Sequence, residues 1–208
     1  SNIGVAKVSL DTESPETTIN AYIGDTLATS NVFSETVSFR GTATDDAKLS
    51  RITAYNYNSG SIGAIIGASQ VISGSSSDWQ IDFEIDSDTH ANDGTYVILF
   101  RVFDESGKYT DYTNTYKVDT TAPRITWEAT DDITVTTKVS AQKITVAYTD
   151  DVSGLATLDY QFQWSQDGGL SWEDYSDSDH GSNGTRENIN LTSGTISLNL
   201  SGFLNSPV

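Results

Sequence analysis

Along most of the chain, apolar residues recur at every second position rather than at every third or fourth. Val37-Ser38-Phe39-Arg40, Trp79-Gln80-Ile81-Asp82-Phe83-Glu84-Ile85, Lys143-Ile144-Thr145-Val146-Ala147-Tyr148, Tyr160-Gln161-Phe162-Gln163-Trp164 and Thr195-Ile196-Ser197-Leu198-Asn199-Leu200 all follow this rule. Successive side chains of a strand point to opposite faces, so these runs predict strands with one buried and one solvated face. Tyr96-Val97-Ile98-Leu99-Phe100-Arg101-Val102-Phe103 is apolar on both parities and predicts a central strand. Clusters of Gly, Asn, Asp and Ser separate the runs, as chain reversals require. The expected fold is all-β, an antiparallel sandwich.

Two stretches of the chain recur. Val8-Ser9-Leu10-Asp11-Thr12-Glu13-Ser14-Pro15-Glu16-Thr17-Thr18-Ile19 returns as Lys117-Val118-Asp119-Thr120-Thr121-Ala122-Pro123-Arg124-Ile125-Thr126, with the aspartates at 11 and 119 standing 108 positions apart. Val37-Ser38-Phe39-Arg40-Gly41-Thr42-Ala43-Thr44-Asp45-Asp46 returns as Ile144-Thr145-Val146-Ala147-Tyr148-Thr149-Asp150-Asp151, with positions 45 and 150 standing 105 apart. Two independent landmarks with nearly one period divide the chain into two units. The expected bounds are 11–118 and 119–208, with residues 1–10 as the last strand or linker of a preceding unit.

The repeated elements resemble tandem bacterial immunoglobulin-like domains of the Big and cadherin-like kind, found in surface adhesins and large secreted proteins. The resemblance rests on the strand ending Val118-Asp119-Thr120-Thr121-Ala122-Pro123, the strands running into Asp45-Asp46 and Asp150-Asp151, and Asp93-Gly94-Thr95-Tyr96 followed by Asp104-Glu105-Ser106-Gly107. It implies two tandem immunoglobulin-like antiparallel β-sandwiches. The second unit is short: after Thr195–Leu200 only Ser201–Val208 remain, where the first unit still has Asp93–Val118 to supply its last two strands. Either the second unit is incomplete here, or a neighbouring chain donates the missing strand by β-augmentation.

Charge narrows the classes of function. The 208 residues carry 29 Asp and Glu against 11 Lys and Arg, a net charge of −18. Phosphate contacts need bases, so nucleic acid is not an expected partner. Anionic lipid would repel the chain, and no apolar run reaches the roughly 20 residues of a membrane span. Cys and Met are both absent, which removes disulfides, thiolate metal sites and cysteine nucleophiles.

The acidic residues are the candidate chemistry. In an immunoglobulin-type sandwich the start of the first strand, the B–C loop and the F–G loop share one pole. In the first unit these carry Asp11, Asp45, Asp46 and Asp104, with Glu105 beside it; the second unit repeats the pattern with Asp119, Asp150 and Asp151. Carboxylates gathered without His or Cys favour a hard cation, and Ca²⁺ takes six to eight oxygens. The opposite pole would present Asp86, Asp88 and Asp93 as junctional ligands. Arrays of this kind use junctional calcium to restrict hinge angles, as the resemblance implies. The competing expectation is that these aspartates bond their own turns.

Other features are structural in expectation. Ser165-Gln166-Asp167-Gly168-Gly169-Leu170-Ser171-Trp172 fits the Asp-box pattern of sialidase propellers, but one copy cannot make a propeller, and the stretch reads as a hairpin. Ser59–Gly67, rich in glycine, reads as a flexible connection. Trp164 is expected in a core, and Trp79 and Trp127 in packing or an interface. Tyr55, Tyr57, Tyr109, Tyr112 and Tyr116 are candidates for a sugar platform. His90 and His180 lie in polar stretches outside any nucleophile motif, so no enzymatic activity is expected.

The expectation is therefore a non-enzymatic, extracellular or cell-surface module: a calcium-stiffened spacer or adhesion element whose partners are neighbouring domains of the same array. The alternatives are a carbohydrate- or receptor-binding domain with a glycan or protein receptor as partner, an accessory module of a secreted polysaccharide-degrading enzyme, and a structural subunit completed by strand donation.

Overall fold

The computed structural model describes residues 11–127, 143–161, 163–165, 167–174 and 183–199. Residues 1–10, Phe162, His180 and Ser201–Val208 lie outside the described residues, as do the side chains of Trp127 and Trp164. The described residues form strands and no helix, and so no helix long and apolar enough to cross a membrane. The chain divides into two compact units, Ser1–Thr120 and Thr121–Val208.

The described residues of the first unit form ten strands: β1 (Glu16–Thr17), β2 (Asn20–Ile23), β3 (Thr26–Leu27), β4 (Val32–Phe33), β5 (Val37–Thr44), β6 (Leu49–Asn58), β7 (Ser61–Val71), β8 (Ser76–Phe83), β9 (Gly94–Asp104) and β10 (Tyr109–Val118). They make two five-stranded sheets. In one, β5 pairs with β8 on one side and with β1 and then β2 on the other, and β3 extends β2. The other runs β4-β10-β9-β6-β7, all antiparallel except β4 beside β10. The doubly apolar run is the middle strand, β9.

Period-two alternation delivers both inner faces to one core. Val37, Phe39, Ala43, Trp79, Ile81 and Phe83 come from the first sheet, and Ile52, Ala54, Ile98, Phe100, Val102, Tyr116 and Val118 from the second, all buried. Aromatic rings run through the middle: Phe33 to Tyr116 at 5.6 Å, Tyr116 to Phe39 at 5.0 Å, Phe39 to Phe100 at 5.1 Å and Phe100 to Trp79 at 6.0 Å between centroids. Such tilted and edge-on pairs add about 0.5–1.5 kcal/mol each beyond simple burial.

Gly41 shows why small size is required inside this face. Opposite it the chain crosses from β1 to β2, and Thr18 approaches so closely that a Cβ on Gly41 would collide with its carbonyl oxygen. Trp79, the cross-strand neighbour of Gly41, covers the gap and donates from Nε1 to Thr17 Oγ1 at 2.7 Å.

Ser59–Gly67 differs from the expectation of a flexible connection. Only Ser59 and Gly60 form the turn, both at positive φ, and Ser61 onward is strand β7. Glycines hid the strand by breaking its alternation. Gly67, at φ 63°, lies where a Cβ would strike the Asp82 carbonyl oxygen of β8. The β6–β7 register shifts twice, between Ile52 and Ala54 and between Tyr55 and Tyr57.

The second unit contains β11 (Arg124–Trp127), β12 (Lys143–Thr149), β13 (Leu155–Gln161), β14 (Gln163–Trp164), β15 (Glu173–Asp174), β16 (Asn183–Leu191) and β17 (Ser193–Asn199). Among the described residues, β12 lies between β11 and β17, β13 pairs with β16, and β14 with β15, all antiparallel. Tyr148, Leu155 and Leu158 are buried, and the Tyr148 ring covers its cross-strand neighbour Gly194.

Replacing Gly41 with Ala should destabilise the first unit by about 2 kcal/mol or more, because backbone on one side and Trp79 on the other leave the methyl no room. Gly24, at φ 58° with open space around it, should lose only about 1 kcal/mol as Ala. Urea unfolding followed by tryptophan fluorescence measures both.

Candidate functional site

Two chain reversals and the entering segment meet at one end of the first unit. Asp11 lies on the segment leading into β1, Asp45 follows β5, and Asp104 closes β9, and one carboxylate oxygen from each lies within 4.8 Å of the other two. Sandwich topology explains the meeting. The β9–β10 turn and the β5–β6 turn cap neighbouring strands of the two sheets, and Glu105 N donates to the Lys48 carbonyl at 2.8 Å to join them.

The turns hold Asp104 and Asp45 by one oxygen each and leave the other without a hydrogen bond. Asp104, whose side chain is 0% exposed, accepts at Oδ1 from Lys108 N and Ser106 Oγ, each at 2.9 Å. Asp45 accepts at Oδ2 from Ala47 N at 3.0 Å. The remaining oxygens, Asp104 Oδ2 and Asp45 Oδ1, are buried with no hydrogen-bond donor. Asp11 Oδ1 is buried as well, with the Lys108 ammonium beside it at 2.9 Å. Three like charges this close repel by roughly 3–4 kcal/mol per pair at an effective dielectric constant near 20. One ammonium leaves the group with two net negative charges.

Lys108 is the residue that sequence reasoning missed. Its Nζ lies 2.9 Å from Asp11 Oδ1, 3.0 Å from Ser106 Oγ and 3.7 Å from Asp104 Oδ2. The hydrogen bond from Lys108, with its charge and that from Ser106, holds the Asp11 carboxyl below the ordinary carboxylate value in spite of partial desolvation. Desolvation is the largest influence on Lys108 and works against its charge. The bond to Asp11 and the charges of Asp11, Asp104 and Asp45 outweigh it and raise the ammonium above its ordinary value. The available signal was a base directly after Asp104-Glu105-Ser106-Gly107, at the end of an acidic turn.

The other candidate residues stand elsewhere. Asp46 is exposed and outside the cluster, and Glu105 makes an exposed pair with Lys48 at 3.6 Å. Asp119 belongs with the first unit, its N–H donating to the Phe33 carbonyl at 2.9 Å. Asp150 is buried and bonds its own turn, accepting from Gly154 N at 2.8 Å, and Asp151 is exposed.

Asp86, Asp88 and Asp93 lie in the β8–β9 loop, at the end of β9 opposite the cluster. Asp86 accepts from Thr89 Oγ1 at 2.6 Å and from the Asp88 and Thr89 N–H groups at 3.0 and 3.2 Å, and these bonds lower its pKa. Asp88 is exposed. Asp93 accepts from Thr120 N at 2.9 Å and Thr120 Oγ1 at 2.6 Å, while His90 Nδ1 lies 2.7 Å from the same hydroxyl. This loop therefore fastens the last residues of the first unit.

The five tyrosines do not share one face. Tyr116 is core, and Tyr112 packs against the core, its hydroxyl accepting from Thr17 N. Odd-numbered positions of β9, of β10 and of β6 from Arg51 onward face outward, so Tyr55, Tyr57 and Tyr109 join Phe103, Arg51 and Arg101 on the outer face. There Arg51 stacks 3.7 Å over Phe103, and Arg101 lies 4.0 Å over Tyr109 while bonding Asp111 at 2.6 and 2.7 Å. In the Asp-box-like hairpin, Asp167 accepts from Ser171 Oγ at 2.6 Å, Ser171 N at 2.9 Å, Leu170 N at 3.0 Å and Ser165 Oγ at 2.8 Å. That network holds its pKa far below the ordinary value, as a turn former.

A depressed carboxylate stabilises the fold above its unfolded pKa and loses that contribution as pH falls through the folded value. Asp11→Asn should therefore lower stability by a constant amount at neutral pH. The gap to the parent chain should close as pH falls below about 3.8, as read from urea midpoints across a pH series. No protein-family model and no curated protein sequence matches the chain significantly, so the geometry of this site carries the functional reading.

Proposed function

We propose that the chain is a non-enzymatic piece of an extracellular array of immunoglobulin-like sandwiches, a spacer or adhesion module whose first unit is stiffened by calcium. The strand order supports the immunoglobulin-like reading. One sheet is built on β5 with β8 and the split first strand, and the other on β10, β9 and β6, with β4 lying parallel to β10.

The single observation that carries the calcium reading is the convergence of Asp11, Asp45 and Asp104, with the buried Asp45 Oδ1 and Asp104 Oδ2 accepting no hydrogen bond. Ca²⁺ bonds oxygen at 2.3–2.6 Å, so oxygens sharing one ion lie at most about 5 Å apart. The three meet this limit, and neither His nor Cys is among them to favour a softer metal. Bound there, the ion would tie the entering segment to two loops of the sandwich and supply the charge balance that one lysine does not.

A second reading, a carbohydrate- or receptor-binding domain, is favoured by the outer face of the β6–β9–β10 sheet. Tyr109, under Arg101, and Ile65, the cross-strand neighbour of Tyr55, are about half exposed there, 48% and 52%. Exposed aromatic and apolar groups clustered with arginine are the composition of binding surfaces.

Thermal melts of the chain in calcium and in EGTA test the first reading. Saturating calcium should raise the midpoint by about 4 °C or more, and Asp104→Asn should abolish the rise. An unchanged midpoint would overturn it.

A further inference from the structure

We infer that Lys108 is a tethered counter-ion that a divalent cation must displace, so that the carboxylate end of the first unit works by cation exchange. The inference rests on the calcium reading of that site. Two carboxylate oxygens of the cluster, Asp11 Oδ1 and Asp104 Oδ2, lie beside the ammonium, at 2.9 and 3.7 Å. A divalent ion bonded to both would leave the ammonium in contact range of a like double charge, so the two do not share the place stably.

The ammonium is an incomplete occupant. It reaches Asp11 and Ser106 at hydrogen-bond distance, stands off Asp104 Oδ2, and leaves Asp45 Oδ1 without any donor. Asp104 shows the shortfall most plainly: its side chain is fully buried, and Oδ2 accepts no hydrogen bond, with the ammonium standing 3.7 Å away. A smaller, doubly charged sphere can draw in all three oxygens where an ammonium cannot.

Exchange is also mechanically easy. The Lys108 backbone is pinned, its N–H donating to Asp104 Oδ1 and its carbonyl accepting from Asp104 N, so the turn holds its shape while the side chain moves. The side chain is 32% exposed on a flexible four-carbon stem, and solvent is open to it. The lysine therefore keeps the end of the sandwich folded when calcium is scarce and weakens calcium binding when it is present.

Melting midpoints of the whole chain, measured across a CaCl₂ series that begins in EGTA, test the exchange in the parent, Lys108→Met, Lys108→Gln and Lys108→Arg. Removal of the charge in the Met and Gln variants should lower the midpoint in EGTA. It should also cut the calcium concentration for half-maximal stabilisation by about tenfold or more, while Arg leaves it unchanged. Equal calcium requirements in the parent and both neutral variants would overturn the exchange and leave the calcium reading standing. Stabilisation of the neutral variants alone would overturn both the exchange and the calcium reading for the native chain, since calcium would then fail to displace Lys108. No stabilisation in any form would overturn both.

Discussion

Everything described at the carboxylate end depends on the closing of two sheets over one alternating core. Phe39 and Phe100 can meet only if β5 and β9 lie face to face, and once they do, the turns that end these strands are brought to the same end of the sandwich. Asp45 and Asp104 are then neighbours whether or not their charges favour it. Hydrophobic burial supplies the force, at roughly 25 cal/mol for each Å² of apolar surface removed from water, and the electrostatic strain is its by-product. The local turns then decide which carboxylate oxygens are consumed by N–H and O–H groups and which stay unsatisfied.

That division explains what could be read from the chain. Val37–Ala43 and Trp79–Phe83 alternate cleanly, and both bury the expected residues, because a period of two needs no knowledge of partners. β7 was not legible, since Gly63 and Gly67 replace the side chains that would have shown a face. Aspartates at turns were legible as a class and not as individuals. Asp11, Asp86 and Asp150 look alike in sequence, but Asp86 and Asp150 engage their own loops while Asp11 reaches Asp104 through Lys108. Lys108 carries no periodic signal at all, and only the closed β9–β10 turn aims it inward.

The same logic applies to the outer face of the second sheet. Leu99 is buried there, 4% exposed, although it points away from the core. Its cross-strand neighbours are Tyr55 and Thr113, and arginines stacked on rings flank it. Aliphatic stems and aromatic rings lying flat on a sheet exclude water from its middle strand, so the doubly apolar run of β9 is sheltered on both sides without a third layer.

The irregular course of β7 matters most where many copies of a chain crowd together. Its eleven residues carry no charge, Val71 is largely bare to solvent and Ile65 half so, a composition that invites a neighbour to add a strand and start a fibre. The two register slips and the left-handed kink at Gly67 break the even row of donors and acceptors that such templating needs. Crookedness at that border thus does the work that lysine does on straighter edges, and it spares the chain another base amid so many acids.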